Sequence, residues 1–397
     1  MRVVPLFWIT IFAALMLWAA PGQAQSTIQL FDEDAKVDLS DNFALYYEDD
    51  TPLTIQQILK RRQNFQWFME DNPNFGFRKN GLWLTNKISN VSNLQSWVFR
   101  IDFSQLDTVD FYLVADGVLL QQSHQGKLQS DQIFRNPTLR ADLPVATPLE
   151  LFIRVQSHSS SLIVPLTVAP EPVHSLAAQI DSTLWGLFYG GLGILAIYNL
   201  IIFFTTREIS LLAYVANVAA VVSWQFVWGG HLQVLVGDAA DMWITHHTEL
   251  LFVVNGLTAG LFTLYFLETR RQTPSAHPVI VSLMGVQVVL GLLCLGDLLP
   301  TIWKHNLVYG IGIACVFSYI YAGFEALTHR FQPARYFTYA WLIVAVSAII
   351  GILSLTGLLP SNKFTTYCFQ VGIFLEAILF SLALMEKNAP HLVAVFY

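Results

Sequence analysis

Seven apolar runs of about 20 residues each fill the chain from Thr183 to about Glu386 and decide what it can fold into. They are Thr183–Thr205, Ile209–Trp228, Thr248–Leu267, Val279–Leu299, Leu307–Leu327, Tyr336–Leu358 and Phe364–Met385. A helix rises about 1.5 Å per residue, so runs of this length match a hydrocarbon core about 30 Å thick. All seven are nearly free of charge, and polar or Pro/Gly-containing loops separate them. The pattern predicts an integral membrane bundle. The composition agrees: 54% of residues are hydrophobic and 12% charged, where soluble chains carry about 25% charge. The net charge of −7 says little about partners, because much of the acid sits near the N-terminus (Asp32, Glu33, Asp34, Glu48, Asp49, Asp50). No basic stripe suits nucleic acid.

Residues 1–24 read as a signal peptide: Arg2, an apolar run from Val3 to Ala20, then Pro21-Gly22-Gln23-Ala24, with cleavage after Ala24. The alternative is an uncleaved first membrane helix. With export, residues 25–169 form a periplasmic domain, 170–182 a linker, 183–386 the bundle and 387–397 a short cytosolic tail. Positive charge gives the same orientation. Arg207, Arg270, Arg271, Arg330, Arg335 and Lys387 fall on inner loops, against Lys304 and Lys363 outside. The expected location is the bacterial inner membrane, with lipid around the helices.

The exported segment alternates with a period of two. Trp97, Phe99, Ile101 and Phe103 share one face; so do Leu149, Leu151, Ile153 and Val155, and likewise Val109, Phe111 and Leu113. Asp116-Gly117 reads as a hairpin turn before Val118-Leu119-Leu120. Phe43–Tyr47, Leu82–Ile88, Leu139–Leu143 and Leu162–Val168 add further strands. About eight short strands with one apolar face each imply two packed sheets. The fold class is therefore α+β: an all-β jelly-roll sandwich followed by a seven-helix transmembrane bundle. Thr54 and Gln57 make a capping-box signature before one short helix through Ile55, Ile58 and Leu59. All three cysteines lie in membrane runs, so the sandwich has no disulfide and must rely on its core.

A resemblance becomes specific here. Leu45-Tyr46-Tyr47-Glu48-Asp49, Leu53-Thr54, Asn74-Phe75-Gly76, Leu82-Trp83-Leu84 and Asn90 look like the start of a known bacterial domain. The run from Leu106 to Leu113, then Asp116-Gly117, Gly126, Arg135 and Leu151–Val155, continues it. The segment resembles the type 2 extracellular domain of bacterial seven-transmembrane receptors with diverse intracellular signalling modules, a jelly roll similar to carbohydrate-binding modules. Gly190-Gly191, Tyr198-Asn199-Leu200, Arg207, Tyr214, Ala334–Phe337 and the run Leu375–Leu384 resemble that family's membrane region. The resemblance implies a receptor, not an enzyme, that senses a periplasmic small molecule or glycan. Its partner would be a cytosolic or membrane signalling protein of the kinase or diguanylate cyclase type, and a homodimer fits the scheme. It implies no cofactor. Members usually continue into a charged coiled helix and an output module; here Asn388-Ala389-Pro390 follows helix seven, and Pro390 is expected to break any such helix.

Candidate ligand-binding residues are Trp83, Asn90, Arg100, Tyr112 and Arg135: aromatic faces for stacking, and polar groups for directional bonds. The competing reading makes Trp83 and Trp97 core residues and pairs Arg135 and Arg154 with acids on the sheet surface. Glu376, Glu325 and Asn199 are candidate transmembrane switch residues, since a carboxylate in lipid is costly. Glu376 is alternatively a satisfied interhelical bond, and Glu325 an interfacial pair with His329 and Arg330. Gly186/Gly190 and Gly256/Gly260 are spaced for close helix contact, and Asn217, Gln225, Asn255, Gln287 and Gln370 for bonds between helices.

Other classes fit less well. A retinal protein needs a mid-helix lysine, but Lys363 and Lys387 flank helix seven. An intramembrane aspartyl protease needs a second aspartate opposite Asp297. His231, Asp238, Asp241, His246, His247 and Glu249 are rich in zinc-ligand types, yet show no recognised zincin spacing, and no metal is assigned. A small-solute transporter with an accessory binding domain is the serious alternative, although no pair of broken helices marks a midplane site.

Overall fold

The computed structural model describes residues 27–396 apart from 33–35, 69–72, 79, 129–133, 159, 237–242, 245, 357 and 361–362. The expected signal peptide, Glu33, Asp34, Asp238 and Asp241 lie outside the described residues.

The N-terminal part is a β-sandwich. Its larger sheet has the order β4 (Gln66–Phe68), β3 (Phe43–Tyr47), β5 (Leu82–Asn90), β10 (Pro148–Gln156), β7 (Thr108–Ala115), β8 (Val118–Gln125), with β1 (Ile28–Leu30) joined to β5 in parallel. The smaller runs β2 (Val37–Asp38), β11 (Leu166–Pro170), β6 (Ser96–Ile101), β9 (Thr138–Asp142). Apart from β1, the pairings between these strands are antiparallel among the described residues. The alternating residues do what period two dictates. Trp97, Phe99 and Ile101 of β6 meet Leu149, Leu151, Ile153 and Val155 of β10 in the fully buried inter-sheet core. Each such side chain contributes about 1.5–3 kcal/mol on burial, which replaces any need for a disulfide. At the hairpin tip Asp116 and Gly117 both take positive φ, 49° and 81°, and join Ala115 to Val118 directly. This two-residue turn matches the twist of its strands.

The outer face of the larger sheet is also covered. Helix α1 (Ile55–Lys60) starts where Gln57 Oε1 accepts the Thr54 N–H at 2.9 Å. It lays Ile55 and Ile58 on Trp83, Tyr112, Val114 and Phe152, forming a second apolar cluster.

Seven long apolar helices follow: α2 (Glu171–Thr206), α3 (Ile209–Trp228), α5 (Thr248–Phe266), α7 (Ala276–Leu295), α8 (Thr301–Thr328), α9 (Ala334–Leu355) and α10 (Lys363–Phe396), with short α4 (His231–Val236) and α6 (Thr269–Gln272) between them. Successive spans pack on each other, and α10 returns against α2 to close the ring. Aromatic rings fill its centre, with Phe262, Phe337 and Phe380 all within 6.1 Å of one another.

Helix α2 starts at Glu171, the residue after β11, and runs 36 residues without a break. The linker is thus the first turns of the first membrane helix. Helical segments of this kind transmit displacement along their axis.

Two expectations need correction. Pro390 does not end the last helix, which continues to Phe396. A proline removes one ladder N–H, the one aimed at the Glu386 carbonyl, and one missing bond does not stop a helix of 34 residues. Gly186 and Gly190 make no close helix contact, since nothing lies within 4 Å of where a Cβ would stand. Gly256 and Gly260 do, against Gln287 and Met284 of α7.

Candidate functional site at the sandwich–bundle junction

Asp181, three turns into α2, is the point where the two halves are tied. Its Oδ2 accepts hydrogen bonds from Arg135 Nη2 at 2.7 Å and Nε at 3.2 Å. Its Oδ1 accepts one from the Tyr367 hydroxyl at 2.8 Å. Arg135 lies in the loop before β9, and Tyr367 in the second turn of α10. The Arg135 guanidinium also donates from Nη1 to the Gly229 carbonyl at 3.3 Å and sits 5.3 Å over the Trp185 ring. One carboxylate therefore joins the sandwich to the first and last membrane helices, and its guanidinium partner reaches the turn between α3 and α4. Hydrogen bonds to charged groups contribute about 1.5–3 kcal/mol each when shielded from water.

Backbone contacts reinforce the tie. The Trp228 carbonyl accepts from Ser104 Oγ at 3.3 Å and from Gln105 Nε2. Gln233 Nε2 donates to the Lys127 carbonyl at 2.8 Å, and Asn74 Nδ2 to the Ser354 carbonyl at 3.3 Å. Gly230 has φ of 74°, and a Cβ there would stand 2.9 Å from the Arg135 carbonyl. A side chain at 230 would be strained by its backbone and would collide with the sandwich.

Between the halves lies a cavity of about 390 Å³, whose polar wall is Arg100, Arg135, Asn136, His174, Asp181 and His231. Arg100 Nη2 stands 4.0 Å from Asp181, and its Nε 2.5 Å from Asp102. His174 and Asn136 are 5% and 4% exposed, yet His174 Nδ1 and Asn136 Oδ1 have no hydrogen-bond partner among the described residues. Leaving such a group unbonded costs about 1–3 kcal/mol. His231 packs edge-on to Trp185, ring centres 4.8 Å apart. Burial, helped by the Arg135 charge, pushes its imidazole down to about 4, so the ring is neutral at physiological pH.

Of the five candidate ligand residues, Arg100 and Arg135 meet at the junction cavity, and Trp83 and Tyr112 meet each other under α1. Trp83 is fully buried; its Nε1 donates to Glu48 Oε1 at 2.7 Å and its ring stacks on Tyr112 at 5.6 Å. With α1 above them, neither ring has a face for a sugar. Asn90 is fully buried and donates to the Leu94 and Leu143 carbonyls at 2.8 and 2.9 Å, bracing a loop. Arg154 pairs with a sheet-face acid as one reading held: it grips Glu48 through two 2.9 Å bonds. Burial opposes the Glu48 charge, but Arg154 and the Leu53 and Trp83 N–H groups outweigh it and hold the carboxyl below its usual range. Burial pushes the Tyr112 phenol up to about 12, with Asp110 adding to it.

The three switch candidates are dispersed. Glu376, 6% exposed, lines a cavity of about 10 Å³ beside Tyr214 and Asn217. Asn199 of α2 donates to Ser381 Oγ of α10 at 2.9 Å. Glu325 is not held by His329 or Arg330. Its two oxygens accept the Ser275 and Ala276 N–H groups at 3.0 Å each, and so cap α7 from the end of α8. A helix start presents unbonded N–H groups and a positive dipole end, which a carboxylate satisfies better than it satisfies exposed cations. The histidine-rich loop also separates: His231 faces the junction, His247 lies 3.7 Å from Asp297, and Glu249 pairs with His305 at 3.3 Å.

Residues 181–387 match the family model for 7TM diverse intracellular signalling, a match that starts at Asp181 and covers more than half of the chain. The chain belongs to this family. Residues 40–169 match the second extracellular domain of the same receptors, 7TMR-DISM extracellular 2. No curated protein matches the sequence. The family is of the membrane-receptor type, in which an extracellular domain is joined to a seven-helix region that serves intracellular signalling. The junction described above falls where these two matched segments meet.

Sequence reasoning missed Asp181, Tyr367, His174 and Asn136. Asp181 did carry a signal, as an acid placed at the rim of an apolar run and facing no cation nearby in sequence. Tyr367 and Asn136 carried none, because only the fold brings them to it.

Proposed function

We propose that the protein is an inner-membrane signal receptor in which the sandwich faces the periplasm and the C-terminus the cytosol. A periplasmic small molecule alters the seat of the sandwich on the bundle, and the Arg135–Asp181–Tyr367 tie passes the change to α2 and α10. The observation that carries this reading is the single carboxylate of Asp181 bonded at once to the sandwich and to the first and last spans. The orientation is supported by Arg207, Arg270, Arg271, Arg330 and Arg335, at helix ends remote from the sandwich, and by Lys387 at the same level within α10. There Lys387 Nζ donates to the Tyr265 and Phe266 carbonyls, and Arg335 pairs with Glu386 at 2.9 Å, so α10 is tied to α5 and α9 at that end. A helix held at both ends relays a shift rather than absorbing it. The output reaches a cytosolic signalling partner of the kinase or cyclase type. A glycan ligand would need a surface other than the Trp83–Tyr112 stack. The transporter alternative gains no support from the bundle cavity at Glu376, which at about 10 Å³ has room for about one water at most.

The test is a spin-label distance between sandwich and bundle in nanodiscs, recorded for wild type and Asp181→Asn. The reading predicts a broadened or shifted distribution in the variant. An unchanged distribution would refute the role of the tie.

A further inference from the structure

The junction cavity has the size and chemistry of a binding site in its own right. At about 390 Å³ it lies within the range of small-molecule pockets, about 300–1,000 Å³. Its wall mixes apolar Phe134, Val234 and Leu235 with the polar groups above, as such pockets do. Three observations define the occupant. Among the described residues that line the cavity, Arg100 and Arg135 set two positive charges against the one carboxylate of Asp181, while Asp102, outside the lining, has Lys36 as a second partner; one positive charge is left over there. Arginine forks match a carboxylate in two-point geometry. Beside them, the buried His174 Nδ1 and Asn136 Oδ1 line the same cavity and have no partner among the described residues. An imidazole nitrogen and an amide oxygen together suit a hydroxyl, which accepts from one and donates to the other.

We propose that this cavity binds a small organic monoanion, a carboxylate that also carries a hydroxyl group. Its carboxylate takes the Arg100 and Arg135 guanidinia, and its hydroxyl bridges His174 and Asn136. The consequence for signalling rests on the receptor reading: the bound carboxylate competes with Asp181 for Arg135 and so loosens the tie to α2 and α10. Binding itself does not depend on that reading.

The experiment uses the full chain in nanodiscs, with thermal shift and calorimetric titration at matched ionic strength. The probes are lactate and gluconate, their uncharged counterparts lactamide and glucose, and inorganic phosphate. The expected result is a concentration-dependent rise in melting temperature with at least one of the two hydroxy acids and none with the uncharged pair. Asn136→Leu and His174→Phe should each weaken that binding at least tenfold, while Arg207→Ala at the opposite end leaves it unchanged. If one cavity variant fails to fold, the other carries the comparison. The proposal is overturned if neither hydroxy acid shifts the melt beyond matched chloride, if phosphate binds more tightly than both, or if both cavity variants bind like wild type. Failure here leaves the receptor reading standing, since the spin-label comparison of wild type and Asp181→Asn uses no ligand.

Discussion

Replacing Asp181 by alanine removes the acceptor for two Arg135 bonds and one Tyr367 bond at a stroke. Charge-assisted bonds contribute about 1.5–3 kcal/mol, and an ion pair cut within a protein interior costs about 3–5 kcal/mol. The pair here is not sealed: the side chains of Arg135 and Asp181 are 16% and 18% exposed, and Arg135 keeps Gly229 and Trp185. A loss of about 2 kcal/mol is therefore the reasonable magnitude, or about a 30-fold change in the equilibrium between seated and unseated sandwich. Tyr367→Phe, which deletes one hydroxyl donor, should cost about 1 kcal/mol. The assay is a double-mutant cycle of Arg135→Ala and Asp181→Ala on the full chain in nanodiscs, read by thermal and denaturant unfolding. A coupling energy of about 1–2 kcal/mol is expected. A value near zero would show that the two side chains only lie close together, and the reasoning would fail.

Glu48→Gln should destabilise the sandwich by about 3 kcal/mol, because the shielded Arg154 loses its main partner and keeps Asp110 at 3.6 Å; hydrogen exchange in β5 and β10 would report it. Since the folded Glu48 titrates below the unfolded value of 4.5, its stabilisation is present above pH 4.5 and is lost as pH falls through the folded value, a loss absent in the variant. His231 adds to the acid sensitivity: with its imidazole near 4 when folded and 6.5 when unfolded, stability drops between those two pH values, and His231→Phe should flatten that part of the melting profile. Glu325→Ala should uncap α7 at a cost of about 1–2 kcal/mol, seen as faster exchange at residues 275–277, with Glu325→Gln recovering part of it. Gly230→Ala should loosen the junction without unfolding either half, raising protease sensitivity between the sandwich and α2.

The larger features were legible because each follows from a local rule. Apolar length marked the seven spans, period-two alternation marked β6, β7 and β10, and Asp116-Gly117 marked the hairpin. The short strands β1, β2 and β4 went unseen, since two or three residues leave no period to read. Trp83 and Tyr112 looked like stacking surfaces because alternation places them on the outer face of their sheet. What it cannot show is a helix folded over that face. Arg100 and Arg135 were recognisable as polar groups able to make directional bonds, but Arg135's partner lies 46 residues away on a membrane helix. Glu325 was misjudged for a similar reason: its nearest cations in sequence point elsewhere, while the start of α7, 49 and 50 residues earlier, offers two bare N–H groups.

The central claim is that a change at the junction reaches the opposite end of the bundle. Hydrogen exchange along α10, compared between wild type and Asp181→Ala in nanodiscs, tests it most directly. The account predicts altered protection at residues 386–396, at and beyond the Lys387 and Arg335 contacts, as well as at the junction. Altered exchange confined to the junction, with 386–396 unchanged, would contradict it.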